Sequence, residues 1–181
     1  IRNYITNRQD SPIGDLKSVL DGDTKTEVVY KTPTNIKLGE YVGIKYNILK
    51  HITSIEFQLG AAANPKDTFL EAQVEVTKDG KTWIPLSKKI YTQPNVVKLE
   101  NLDFEARGVR MVATKAKGNT WLAVREIIIN KEELTSDTIH KGFTNTNHKL
   151  TSVVSLEQTK LVPVKGLKLN PNDYVGLKLD R

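Results

Sequence analysis

The sequence predicts an all-β sandwich, and three observations carry that reading. Short apolar runs with a two-residue alternation recur through residues 1–131. Turn signals separate them every eight to twelve residues or so, a spacing that suits sandwiches and barrels. No long stretch keeps the 3.6-residue period of an amphipathic helix. About eight strands can be drawn, which indicates a β-sandwich or a jelly roll.

The clearest pair lies in 106–130. Val109, Met111 and Ala113 alternate with Arg110, Val112 and Thr114. A polar turn, Lys115–Thr120, follows, where Gly118 and Asn119 tolerate positive φ. The next strand, Trp121–Ile129, ends in three isoleucines, whose β-branched side chains suit a pleated surface. Glu126 sits inside this apolar strand, where a carboxylate is costly without a partner.

Taken in order, Ile1–Thr6 reads as an edge strand and Asn7–Gly14 as a polar loop. Asp15 can cap a helical turn with Leu16, Val19 and Leu20 on one side. The tight acidic loop Asp21-Gly22-Asp23-Thr24-Lys25-Thr26 comes next. Glu27–Lys31 and Asn35–Tyr46 read as strands, the second with a bulge-like irregularity at Gly39-Glu40. Ile52–Leu59 is a further strand, Gly60–Asp67 a loop of small residues, and Phe69–Val76 a strand. The turn Lys78-Asp79-Gly80-Lys81 leads into Trp83–Leu86, since Asp-Gly between extended runs is a hairpin signal. Ile90–Tyr91 and Val96–Leu99 complete the set, and Trp83 reads as a core residue.

Composition excludes several classes of function. The chain has 181 residues, 38% apolar and 27% charged, as expected of a globular protein able to bury a core. It has no run of the about 18 apolar residues that a spanning helix needs, so membrane insertion is not expected. It opens at Ile1 without methionine or a signal-like segment and reads as a piece of something longer. The net charge of +6 comes from 27 basic and 21 acidic residues. The bases are mostly lysines and are scattered, unlike the clustered Arg/Lys patch with interleaved aromatics of a nucleic-acid site. They make a solvated surface with, at most, a mild preference for an acidic polysaccharide. Without cysteine there is no disulfide framework, thiolate metal site or thiol nucleophile. His51, His140 and His148 are scattered, and no Ser/His/Asp order or phosphate-cradling loop is present, so no catalytic residues are assigned.

Past Lys131 the texture changes. Residues 132–149 read as a linker or a loop opening a new unit. Residues 150–181 then repeat part of the first domain. Leu167-Lys168-Leu169 and Asp173-Tyr174-Val175-Gly176-Leu177-Lys178 echo Ile36-Lys37-Leu38 and Glu40-Tyr41-Val42-Gly43-Ile44-Lys45 at a displacement of 131 to 133 positions. Ser152-Val153-Val154 echoes Ser18-Val19-Leu20, without the acidic loop. The expectation is a 1–131 sandwich followed by the start of a truncated second copy.

Three local patterns, in order, resemble a known family. They are Val19-Leu20-Asp21-Gly22-Asp23-Thr24-Lys25-Thr26, Val76-Thr77-Lys78-Asp79-Gly80-Lys81-Thr82-Trp83, and Ala106-Arg107-Gly108-Val109-Arg110 followed by Trp121-Leu122-Ala123-Val124-Arg125-Glu126-Ile127. Together they resemble the F5/8 type C (discoidin) superfamily, in particular family 32 carbohydrate-binding modules, over roughly residues 5–130. The resemblance implies an eight-stranded jelly-roll sandwich. It also implies a structural calcium ion beside the acidic loop, held by Asp21, Asp23, Thr26 and Glu126. Lys25 and the missing spaced glutamate set the loop apart from an EF-hand. The alternative is an acidic turn in which Asp23 caps backbone amides and Glu126 pairs with a lysine.

The resemblance further implies a sugar site on the loops at one end of the sandwich. By position its residues here are Tyr30, Asn64, Lys66, Asn119 and Trp121, with Trp121 equally readable as a packing residue. The sequence departs from the family at Val28 and Val29, where sugar binders commonly carry a Trp-His pair. The implied function is non-catalytic. It would direct a secreted or surface-attached bacterial glycan-degrading enzyme to glycans of host glycoproteins, of galactose or N-acetylhexosamine type, or to an acidic polysaccharide. Its remaining partners would be adjacent domains of the parent enzyme. The competing reading is a structural spacer or docking sandwich with no sugar site.

Overall fold

Alternating apolar residues on four strands decide the architecture. The computed structural model describes residues 2–131 and the backbone of two short strands, 142–144 and 175–177. The elements are β1 (Arg2–Thr6), a 3-10 turn (Leu16–Leu20), β2 (Val28–Tyr30), β3 (Asn35–Ile36), β4 (Tyr41–Ile52), β5 (Ile55–Leu59) and β6 (Glu71–Thr77). They continue with β7 (Ile84–Pro85), β8 (Tyr91–Thr92), β9 (Val96–Leu99), β10 (Phe104–Lys115), β11 (Lys117–Gly118) and β12 (Leu122–Ile129). Two last strands are β13 (Gly142–Thr144) and β14 (Val175–Leu177).

In residues 2–131 the strands form a β-sandwich. One sheet runs β1-β4-β10-β6-β7, with β8 also on β6, and has six strands; the facing sheet runs β2-β12-β5-β9. Val42, Ile44, Val74, Val109 and Met111 from the first sheet pack against Phe57, Leu59, Val124, Ile127 and Ile129 from the second. Burial of these side chains away from water is the main favourable term holding the two layers together. The strand count exceeds the eight expected, because β7 and β8 are two-residue strands along the edge at β6 and β3 pairs separately with β11.

Three sequence boundaries move. The strand read as Asn35–Tyr46 breaks at Gly39, whose φ of +82° turns the chain. Gly39 then donates to Ala113 O at 2.9 Å. The run Ile52–Leu59 is cut at Thr53-Ser54, where Asn130 Oδ1 accepts from Thr53 N at 2.8 Å and Asn130 Nδ2 donates to His51 O at 2.7 Å. Ile52 therefore ends β4. Trp83 lies outside the core. It sits over Gly108, on the face opposite Val109 and Met111, with the Arg110 guanidinium 4.4 Å from its ring and 4.5 Å from that of Tyr41. Of the two turn residues between β10 and β12, Asn119 takes the positive φ, 48°, whereas Gly118 pairs with Asn35.

Contacts divide the chain into Ile1–Lys131 and Glu132–Arg181. In the second unit β13 and β14 are antiparallel, with Phe143 opposite Gly176 and Thr144 opposite Val175. In the first, β1 and β4 pair with Ile5 opposite Gly43 and Thr6 opposite Val42. The stretch read as a linker, 132–149, holds β13, and the rest of 132–181 lies outside the described residues.

Candidate functional site

Three loops at one end of the sandwich are stitched into a cleft. The first is the segment after β2, Lys31–Thr34. Thr32 N donates to Asp10 Oδ2 at 3.1 Å, and the buried Arg8 guanidinium donates to Pro33 O and Asn35 O. The second, Gly60–Asp67, doubles back through Gly60, φ +79°, where a Cβ would come within 2.6 Å of both Pro65 O and the Asn95 side chain. The third, between β10 and β12, is tied to the others by Thr120 N donating to Thr34 O at 3.3 Å and Ala123 N to Asp67 O at 2.9 Å.

Lys117 locks the second loop to the third. Its ammonium donates to Thr68 O at 2.9 Å and to Lys66 O. Burial pushes its pKa down, Asp67 opposes that and Lys66 adds to it. The resulting cleft, about 380 Å³, is lined by Thr34, Asn64, Asp67, Asn119, Thr120 and Trp121. Asn64 Nδ2 donates to Asp67 Oδ1 at 3.0 Å, and Trp121 is 38% exposed, with the Lys31 ammonium 4.2 Å above its ring centroid. An aromatic face beside two amides, two hydroxyls and a carboxylate is a chemistry that can hold a polyhydroxylated ring.

The five positions inferred for sugar contact divide accordingly. Asn64, Asn119 and Trp121 line the cleft. Lys66 is exposed on the second loop, with its carbonyl, not its side chain, turned to Lys117 and Thr120. Tyr30 is corrected: it is 1% exposed in the core, its hydroxyl 3.1 Å from that of Tyr4, so it cannot reach a ligand. Its register opposite Leu122 on the central strand of the second sheet puts it there. Val28 and Val29 are buried as well. Thr34, Asp67 and Thr120 went unread, because only the loop closures bring them to the cleft. The run Asn64-Pro65-Lys66-Asp67 was the one available signal, and both its amide and its acid line the cleft.

A second locus joins the acidic loop to β12. Gly22 N donates to Glu126 Oε2 at 2.8 Å, while Glu126 Oε1 is buried without a hydrogen bond. The Thr26 hydroxyl faces three oxygens, Asp23 O at 2.9 Å, Asp21 Oδ2 at 3.4 Å and Ser18 O at 3.5 Å. The Asp23 carboxylate is turned to Lys25 N, so that residue offers its carbonyl. Burial, aided by Asp21 and opposed by the Gly22 hydrogen bond, pushes the Glu126 carboxyl up to about 8. Among the described residues no lysine forms an ion pair with it, and the cation that acts on it is Arg2, which donates to Leu20 O. Among the described residues no three carboxylate or imidazole groups gather at one point. A hard cation here would rest on two carboxylates plus hydroxyl and carbonyl oxygens. The unpartnered Glu126 oxygen fits that role.

The F5/8 type C domain profile matches residues 5–127. The chain belongs to the F5/8 type C family. Solved structures similar to this F5/8 type C chain include a family 32 module from Clostridium perfringens NanJ in complex with galactose. It has a TM-score of 0.56 and 12% identity, covering 71% of this chain and 92% of that one. Another is CpGH89CBM32-5 from C. perfringens in complex with GalNAc-β-1,3-galactose, with a TM-score of 0.54 and 15% identity over 71% and 93% of the two chains. A third is a module from a family 31 glycoside hydrolase of C. perfringens, with a TM-score of 0.53 and 14% identity over 70% and 93%. At these identities the likeness is one of fold. No protein of curated function matches the sequence. Among the described residues no helix is long and apolar enough to cross a membrane.

Proposed function

We propose that this F5/8 type C domain is a non-catalytic carbohydrate-binding module that holds a terminal sugar in the cleft around Trp121. The lining itself carries the reading: one half-exposed indole, the amides of Asn64 and Asn119, the hydroxyls of Thr34 and Thr120, and the Asp67 carboxylate. The indole supplies an apolar face for the C–H side of a sugar ring, and the polar groups match hydroxyls. Galactose and GalNAc-β-1,3-galactose are the ligands held by two structural neighbours, which supports a host glycan of galactose or N-acetylhexosamine type. The neighbour from a glycoside hydrolase supports a role of targeting a bacterial, exported enzyme. A glycan array on the wild type and Trp121→Ala tests the site; equal binding by the two would move it elsewhere.

Calcium belongs to the same reading. Asp21, Thr26, Glu126 and the carbonyl of Asp23 would hold the ion, and bound there it would neutralise the buried carboxylate and fasten the loop to β12.

Residues 150–181 are read as a partial second module, with 132–149 as the linker or loop that leads into it. The support is register: β13 opposes a glycine of β14 as β1 opposes Gly43, and Phe143-Thr144-Asn145 parallels Ile5-Thr6-Asn7. Tandem modules raise avidity through effective concentration. Cross-strand NOEs between Phe143 and Gly176, matching those between Ile5 and Gly43, are the expected sign, and their absence removes the repeat.

A structural spacer remains the competing function. The observation that favours it is the burial of Val28 and Val29, which leaves no histidine for a hydroxyl. An array blank with and without calcium would decide for it.

A further inference from the structure

We propose that the end of the sandwich away from the cleft carries a second binding site, which takes a phosphate group between Lys45 of β4 and Arg107 of β10. It is independent of the sugar site. β6 starts at Glu71, opposite Lys115 beside the cleft loops, and the turn that follows its other end, Thr77, reaches this place. A bulge builds the rest: Gly108 stands opposite Lys45 and Ala106 opposite Lys50, so Arg107 drops out of the ladder and its side chain is re-aimed. The point where a Cβ of Gly80 would stand is 2.9 Å from Lys45 Cε, 3.4 Å from Lys45 Nζ and 4.0 Å from Arg107 Cδ. An ammonium and the stem of a guanidinium therefore meet at one turn.

Neither cation is neutralised. Among the described residues no acid forms an ion pair with Lys45 or Arg107, and Arg107 Nε is buried without a hydrogen-bond partner. The acids of the adjoining turn and strands do not supply the missing charge. Asp79 accepts from Lys81 N, Thr82 N and the hydroxyls of Thr77 and Thr82, and these bonds hold its carboxyl well below the usual carboxylate range. Glu75 is taken by Arg110. Glu105, two positions before Arg107, is exposed and pairs with neither cation. Lys78 and Lys81, both exposed in the same turn, add further positive charge at the rim.

Two facing cations repel, and a buried N–H without an acceptor is costly. A doubly charged tetrahedral oxyanion answers both at once. One oxygen can accept from Arg107 Nε–H while another meets the Lys45 ammonium as a point charge. A carboxylate brings a single charge and leaves one cation unanswered. A phosphoryl group carries about two negative charges near neutral pH, so the charge count selects it. The lysines at the rim raise the local concentration of such an anion. Free phosphate and a phosphate monoester share this chemistry.

Titration of the full chain followed by 15N-resolved NMR tests this, at about pH 8, where phosphate is mainly dianionic. The ligands are sodium phosphate, sodium sulfate, glycerol 3-phosphate and sodium acetate, each against sodium chloride at equal ionic strength. The proteins are wild type, Lys45→Gln, Arg107→Gln and, as control, Lys17→Gln, whose lysine is exposed in the 3-10 turn beside β12 of the other sheet. In wild type and Lys17→Gln, phosphate and sulfate should shift the Gly80 amide and Arg107 Nε–H resonances saturably, with acetate at least about tenfold weaker. Lys45→Gln and Arg107→Gln should each weaken phosphate at least about tenfold, read at Gly80, without lowering Tm in chloride. Glycerol 3-phosphate binding as tightly as phosphate assigns the site to a phosphoryl group on a larger molecule; its exclusion assigns the site to the free ion. No saturable shift, equal shifts with chloride, acetate as tight as phosphate, or phosphate binding that survives both substitutions overturns the inference. So does a fall in Tm of both variants in chloride, which would make the two cations structural.

Discussion

Gly22 N donates to Glu126 Oε2 across 2.8 Å, joining residues 104 positions apart in the chain. That bond closes the acidic loop onto the central strand of the second sheet, and it leaves the other oxygen of the same carboxylate buried and unpartnered. An ionised carboxylate in that position is costly without a cation.

Stability should therefore depend on pH and calcium together. The Glu126 carboxyl is raised from 4.5 to about 8, so the folded state holds its proton more tightly than the unfolded chain does. In chelator, its contribution is fully present below about 4.5 and is lost as pH rises toward about 8. Thermal melts in chelator should show Tm falling over that window from this group. Calcium should restore Tm at pH 8, and Glu126→Gln should flatten both responses. A Tm unmoved by chelator and calcium at pH 8 would retire the ion.

Tyr30→Phe separates the core from the cleft. It removes one buried hydroxyl pair with Tyr4 and should cost about 0.5–1.5 kcal/mol by denaturant titration. Glycan binding should be unchanged; its loss would return Tyr30 to the site.

Trp121→Ala should act the other way round. The indole is 38% exposed, and its visible partner is an exposed-type cation contact worth about 0.5–1 kcal/mol. Stability should move by about 1 kcal/mol, while sugar binding falls below detection on the array. A large loss of stability would make Trp121 a packing residue.

Gly43→Ala tests the sheet beneath. A Cβ there would strike Val109 O and come within 2.7 Å of Arg110 Cα, both backbone atoms that cannot step aside. A loss of about 1–3 kcal/mol or more in a denaturant titration is expected. A neutral effect would mean that β4 and β10 can separate without penalty.

Much of the fold was legible because strands and turns are local events. Alternation at Val109, Met111 and Ala113 found β10, and Asp79-Gly80 found the turn before β7. Boundaries failed where a distant partner set them. Asn130 caps the turn that ends β4, and Trp83 settles on Arg110 over Gly108 because its side chain points away from the core.

The sequence by itself determined the family and the alternation that fills the core, since motif order and period are carried along the chain; the meeting of the acidic turn with Glu126 was implied by the family resemblance. Tertiary structure alone decided the cleft. Thr34, Asp67 and Trp121 come from three separated loops, and Lys31 lies on the indole only after those loops are fastened by Lys117 and Arg8. Tyr30 shows the same physics in reverse: its position suggested a ligand contact, but its register on β2 buries it against Tyr4.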